Sequence, residues 1–315
     1  MKIISPEEVH AALSYPALVD TLQDAFSKEF TMPPRKVFML DEKDDNTNAF
    51  ALLPSWNDSI IGVKAFTYFP DNQGPEYKSL YSKILLFDRA HGEPIALVDG
   101  TSVTFWRTAA ISGLASRLLS REDSESLLVL GTGNLSTFII RAQASVRPLK
   151  RVMVWGRTPA NAQKVVDQMS AELGDIEFTV VDNIEAACGQ ADIIVSATAS
   201  HEPLVMGDWV KPGTHTDFIG NHHATKRECD TALVVKSKVY ADSYDNCFKE
   251  AGEVLVPISE GVMTKDDVVG QLTEMCAGSV PLRESDTEIT LFKSIGMALC
   301  DLVGAGLAYE QVSKG

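Results

Sequence analysis

The chain has 315 residues, 45% of them hydrophobic, and a formal net charge of −15. That length and apolar content allow one large or two ordinary globular domains around a substantial core. So much negative charge repels nucleic acid and anionic membranes, so an anionic ligand has to be held by a few local cations. Five cysteines (Cys188, Cys229, Cys247, Cys276, Cys300) show no CxxC or His/Cys ligand spacing, as expected for reduced thiols in a cytoplasmic protein without a metal. The opening MKIISPEEVH is not a basic-then-apolar signal, and no apolar run approaches the roughly 18 residues of a membrane span.

In chain order, Ser5-Pro6-Glu7-Glu8 reads as a capping box with proline at the first helical position. A second helix follows, in which Leu18, Leu22, Ala25 and Phe26 share a face. Strand-like segments at 36–40, 49–56, 61–69, 83–87 and 95–98 are separated by Asp/Asn, Pro or Gly breaks, which predicts an antiparallel sheet. The pattern turns helical over 101–119. From 127 strands and helices alternate: strands at 127–130, 152–155, 178–181 and 192–197, with helices after the glycine turn, over 159–173 and near 187. Repeated β-α units predict a parallel, doubly wound sheet. Later strands are expected at 216–219, 232–235, 239–241 and 288–292, with helices over 264–275 and 295–312.

The stretch that carries chemistry is SLLVLGTGNLSTFIIRAQASV, residues 126–146. An apolar strand meets Gly131-Thr132-Gly133 and then a helix start at Asn134, Leu135 and Ser136. The first glycine permits the sharp turn, the second lets backbone approach a diphosphate, and the helix end offers free N–H groups and a positive dipole. Ser136 stands at the third fingerprint position, small but not glycine. An NAD-specific domain carries an acid at the end of the next strand to hold the ribose hydroxyls. Here that end reads Trp155-Gly156-Arg157-Thr158, without a carboxylate, so Arg157 and Thr158 favour a 2′-phosphate: NADPH is preferred and NADH possible. Small residues at Ser196-Ala197-Thr198-Ala199 would let a dinucleotide pass the edge of a third strand, although a bland small-residue turn reads the same.

Three stretches together resemble the ornithine cyclodeaminase and mu-crystallin family: Asp99-Gly100 followed by Trp106-Arg107-Thr108-Ala109-Ala110; the glycine turn with Val154-Trp155-Gly156-Arg157-Thr158; and the run from Ile289 through Phe292-Lys293-Ser294-Ile295-Gly296 to Ala298. The resemblance implies a homodimer in which residues 1–118 and 297–315 form an α+β dimerisation and substrate domain, with a Rossmann domain over 119–296. It implies that Arg35, Lys64 and Arg107 hold a substrate carboxylate, that Lys64 also serves the chemistry, that Thr108 adjoins the cofactor, and that Ser294 and Gly296 lie against the nicotinamide. By composition alone each cation is an ordinary surface residue and Ser294 a plain helix cap.

Family members differ in activity. Cyclodeaminases carry an aspartate in a pattern like Gly-Gly-Asp-x-Pro-Gly-Lys-x-Glu-Leu, where this chain has Gly220-Asn221-His222-His223 and then Lys226-Arg227-Glu228. His222 stands in place of the aspartate, which speaks against ornithine cyclisation. The GTGNLS turn looks most like the branch that reduces Δ1-pyrroline-2-carboxylate to L-proline, so the expected substrate is a small cyclic imino acid, five- or six-membered. His222 is a candidate proton donor, because imidazole titrates near neutrality, and another polar group or water would serve as well. The alternatives are a cyclodeaminase with tightly held NAD and a non-catalytic ligand carrier of the crystallin type. His201 and His215 have no ligand spacing with the histidine pair that would make a metal site.

Overall fold

The computed structural model describes residues 1–40, 48–72 and 76–314. The Asp/Asn-rich break expected after the 36–40 strand, and Gly315, lie outside the described residues. The chain divides into two units, Met1–Thr108 with Met297–Gly315, and Ala109–Gly296.

In the first unit, β1 (Lys2–Ile4) leads into α1 (Pro6–Ala12), whose N-terminus is closed by the reciprocal Ser5/Glu8 capping box. Then come α2 (Tyr15–Phe26), β2 (Lys36–Met39), β3 (Ala49–Trp56), β4 (Ile60–Tyr68), β5 (Leu80–Asp88), β6 (Pro94–Asp99) and α3 (Gly100–Leu119). The sheet runs β1-β6-β5-β4-β3-β2, antiparallel throughout β2 to β6 as the breaks predict. The short β1, absent from the sequence reading, adds in parallel to β6. Burial alternates along the strands: Gly62 and Lys64, or Ser82, Ile84 and Leu86, are buried, while Ile61, Val63, Leu85 and Phe87 stay half-exposed.

In the second unit, β7 (Ser126–Leu130), α4 (Leu135–Val146), β8 (Arg151–Trp155), α5 (Pro159–Glu172), β9 (Glu177–Val180), α6 (Ile184–Cys188) and β10 (Ile193–Ser196) follow the expected alternation. Next are β11 (His215–Phe218), α7 (Thr231–Val235), β12 (Ser237–Ala241), α8 (Tyr244–Glu250), α9 (Gly252–Ser259), β13 (Val268–Gln271), α10 (Leu272–Ala277) and β14 (Ile289–Lys293). All eight strands are parallel, in the order β13-β12-β14-β11-β10-β7-β8-β9. Finally α11 (Ala298–Lys314) returns the chain to the first unit and packs against α1, α2 and strands β3 to β6.

Three expectations are corrected. The apolar run at 232–235 is the helix α7, because Asp230 caps it by accepting from the Leu233 N–H. The segment 264–275 is not one helix: Thr264 and Asp267 close a single 3-10 turn, β13 follows, and α10 starts only at Leu272. The last helix begins at Ala298, since Gly296 takes a φ of 100° that no helix continues through. The boundary between units falls inside α3, earlier than 118/119, because the later turns of α3 belong with α4: Gln143 donates to Ser112 at 2.9 Å, and the Arg147 guanidinium holds the Ser116, Arg117 and Ser120 carbonyls.

Candidate active site

β8 and β9 lie on one side of β7 and β10 on the other, so the strand order reverses beside the C-terminal end of β7. In an open parallel sheet that reversal leaves a crevice where ligands bind. It holds a cavity of about 540 Å³ lined by Gly131, Thr132, Gly133, Trp155, Gly156, Arg157, Thr158, Asn161 and, across from them, residues 197–201 with Leu204. That size suits a dinucleotide half or another small ligand. Gly131 adopts a φ of 115°, and a Cβ there would come within 2.7 Å of the Ala197 carbonyl. Only glycine turns the chain so tightly beside the neighbouring strand end. Asn134 makes no side-chain cap on this 12-residue helix α4, and Ser136 turns both its N–H, at 3.0 Å, and its hydroxyl, at 2.7 Å, onto the Gly133 carbonyl, while the positive end of the helix faces the crevice. This cradle fits a diphosphate.

The far wall is built by a buried acid. Glu228 Oε1 accepts from the Ser196 hydroxyl at 2.6 Å, the Thr198 hydroxyl at 2.7 Å and the Thr198 N–H at 2.8 Å, while Oε2 accepts from the Gly220 N–H at 2.7 Å. One carboxylate thus ties the ends of β10 and β11 together. Burial raises its pKa against the pull of Lys293 and these donors. Lys293 itself is fully buried, pairs with Glu253 at 2.9 Å and donates to the Asn221 carbonyl at 2.8 Å. Asp242 does for β14 what Glu228 does for β10: its Oδ2 accepts from the Ile295 and Gly296 N–H groups at 2.7 and 2.6 Å and from the Ser294 hydroxyl at 3.2 Å.

In the first unit the two motif cations converge on a third residue. Lys64, only 5% exposed on β4, donates to Asp301 Oδ1 of α11 at 3.1 Å and to the Thr104 hydroxyl at 2.6 Å. Arg107, one turn beyond Thr104 on α3, donates from Nε to the same Asp301 oxygen at 3.1 Å. Two cations thus meet on one buried carboxylate oxygen. Burial lowers the Lys64 pKa, Asp301 opposes that, and Arg107 adds to it.

The structure places the other expected residues as follows. Gly131, Gly133, Gly156, Arg157, Thr158, Ala197 and Thr198 line the crevice together. Asn134, Leu135 and Ser136 open α4, and Ser294 and Gly296 form the turn after β14. Thr108 is buried at the end of the first unit. Arg35 is exposed; continuing the β2–β3 register by one residue sets it across from Leu53, itself opposite Lys64. His222 is exposed on the segment after β11. The sequence reading missed Asp301, Glu228, Asp242 and, in the crevice wall, Asn161, His201 and Leu204. Glu228 lies within the run quoted for the family pattern, where attention went to His222 alone, and no motif marks the others. Only the acids' position just past a strand end or on the returning helix could have drawn attention to them.

A Rossmann-type sheet with a glycine cradle at its switch point, joined to a unit carrying buried cations, defines a dinucleotide-dependent class of protein. Residues 2–315 match the model of the Ornithine cyclodeaminase/mu-crystallin family, and the chain belongs to that family. It is 47% identical to the Delta(1)-pyrroline-2-carboxylate reductase of Colwellia psychrerythraea, over 99% of this chain and all of the relative. The Thermococcus litoralis Delta(1)-pyrroline-2-carboxylate reductase, solved with NADH and L-proline, superposes with a TM-score of 0.92 at 31% identity, covering 100% of this chain and 98% of that one. An archaeal alanine dehydrogenase dimer with bound NAD superposes with a TM-score of 0.91 at 28% identity, covering 100% and 97%. Among the described residues no helix is long and apolar enough to cross a membrane.

Proposed function

We infer that this protein is an NAD(P)H-dependent ketimine reductase that converts Δ1-pyrroline-2-carboxylate to L-proline. The single observation that carries the reading is the Lys64/Arg107 pair sharing one buried carboxylate, in a chain 47% identical over its length to a pyrroline-2-carboxylate reductase. The pair presents two cations to the carboxylate of a small imino acid, which Arg107 can grip with parallel N–H bonds. Arg35 is the outer member of the clamp. The crevice around Gly131 holds the dinucleotide; reduced nicotinamide supplies the hydride that goes to C2 of the imine. The imine nitrogen gains its proton from Lys64, from His222 or from water.

Arg157 and Thr158 favour NADPH over NADH, because both can donate to a 2′-phosphate and no acid in the crevice lining opposes it. The protein acts as a cytoplasmic homodimer. The half-exposed apolar side chains of Leu52, Val63, Leu85, Phe87 and Leu97 alternate with the residues buried against the helices, giving a sheet face for a second copy to cover. Val63→Glu should halve the mass measured by light scattering.

The test follows NADPH and NADH absorbance with the pyrroline acid, with the six-membered piperideine acid, and with pyruvate plus ammonia, alongside ammonia release from L-ornithine. Consumption with a cyclic imine, faster with NADPH, supports the reading. Ammonia release from ornithine at a comparable rate overturns it.

A further inference from the structure

The motifs that reveal the clamp contain its cations and omit the group that joins them. We propose that Asp301 is the positioning residue of the substrate clamp, one of its oxygens holding the Lys64 ammonium and the Arg107 guanidinium in fixed relation for the carboxylate of an incoming imino acid. The proposal rests on the reductase reading given above.

Geometry carries it. Asp301 is 1% exposed, and its Oδ1 lies 3.1 Å from both Lys64 Nζ and Arg107 Nε. The Thr104 hydroxyl gives its hydrogen to the Gly100 carbonyl at 2.7 Å, so toward Lys64 it can only accept. Lys64 is thereby fixed as a donor twice over, and the third hydrogen of its ammonium points to a ligand. Oδ2 of Asp301 has no hydrogen-bond partner among the described residues, which leaves the carboxylate committed through a single oxygen.

Electrostatics agrees with this arrangement. The titratable groups that bear on the Lys64 amine are Asp301 and Cys300 from α11 and Arg107 from α3; its cross-strand neighbours Leu53 and Ile84 are apolar. In that set Asp301 is the main group favouring the charged ammonium, with Cys300 a smaller one. Neutralising Asp301 removes most of the opposition to burial and Arg107, both of which favour loss of the Lys64 proton.

The test compares Asp301→Asn with Asp301→Glu. For Asp301→Asn, the basic limb of kcat/KM for the pyrroline acid should move down by about one pH unit or more, and KM should rise about 10-fold. Kd for NADPH should stay within about a factor of two, a uniform loss being the mark of global damage. Without substrate or cofactor, acylation of Lys64 by acetic anhydride at pH 8, read by mass spectrometry, should be about 10-fold faster than in wild type, since only the free amine reacts. Asp301→Glu keeps the charge but displaces it, so its basic limb should match wild type while KM rises. An unmoved limb with unchanged Lys64 labelling in Asp301→Asn overturns the proposal; if that variant fails to fold, an unchanged KM in Asp301→Glu does so. A wild type that reduces neither imine defeats the reductase reading instead, and the labelling comparison still decides the role of Asp301.

Discussion

Two buried ionic clusters have opposite imbalances. In the first unit Lys64 and Arg107 share the single carboxylate of Asp301. In the second, Lys293 bears on Glu253, Glu228 and Asp217, with Asp242 a further acid beside Asp217. The first gathers two cations on one carboxylate oxygen. The second gathers several acids around one cation and supports Glu228 and Asp242 with backbone N–H groups. Among the described residues neither oxygen of Asp217 is within hydrogen-bonding geometry of a partner; burial pushes its pKa up to about 7 against the pull of nearby Ser112 and Lys293, and Glu228 and Asp242 add to the rise.

The comparison can be broken most severely at Lys293. Lys293→Met strands several acids without a cation and should cost about 3–5 kcal/mol of stability in denaturant titrations at pH 8. The loss should shrink at pH 5, where Asp217 carries its proton. Asp217→Asn sharpens the same point. A carboxyl whose folded pKa is raised gives stability that is full below its unfolded value, near 3.8, and is lost as pH rises through about 7. Wild type should therefore lose on the order of 2–4 kcal/mol relative to Asp217→Asn between pH 4 and pH 8. Parallel stability curves would show that the native carboxyl ionises normally.

On the substrate side, Arg107→Ala should lower kcat/KM by about 100-fold, a loss of two charge-assisted bonds, with the melting temperature little changed. Arg35→Ala, at an exposed position, should be milder. The smallest effect belongs to the cofactor crevice. Arg157→Ala should raise Kd for NADPH by about 10-fold and leave NADH within a factor of about three, one decade being about 1.4 kcal/mol. Added salt should narrow the preference in wild type, because an exposed arginine is screened. An equal fall for both cofactors would make Arg157 a support of its loop.

The parts of this molecule legible in its sequence are those decided locally. The β-α alternation over 126–196 follows from apolar periodicity and glycine punctuation, so strands and turn fell where expected. Short apolar runs are ambiguous, and the four residues at 232–235 became a helix because one aspartate caps them. Helices α8 and α9 escaped notice: each is eight residues or fewer, and Pro257 lies inside the second. The cations of the site were visible through motif context, yet their carboxylate was not, since Asp301 lies 237 positions from Lys64. No pattern within a window of sequence encodes a partner so distant.

That separation also orders events at the ribosome. Everything between the two partners, including the whole second unit, is synthesised after Lys64 and before Asp301. The second unit is continuous in sequence and can assemble as it emerges, whereas the first waits for α11. A nascent chain can therefore complete its glycine turn and parallel sheet before Lys64 has the Asp301 counter-ion, which arrives only with the returning helix.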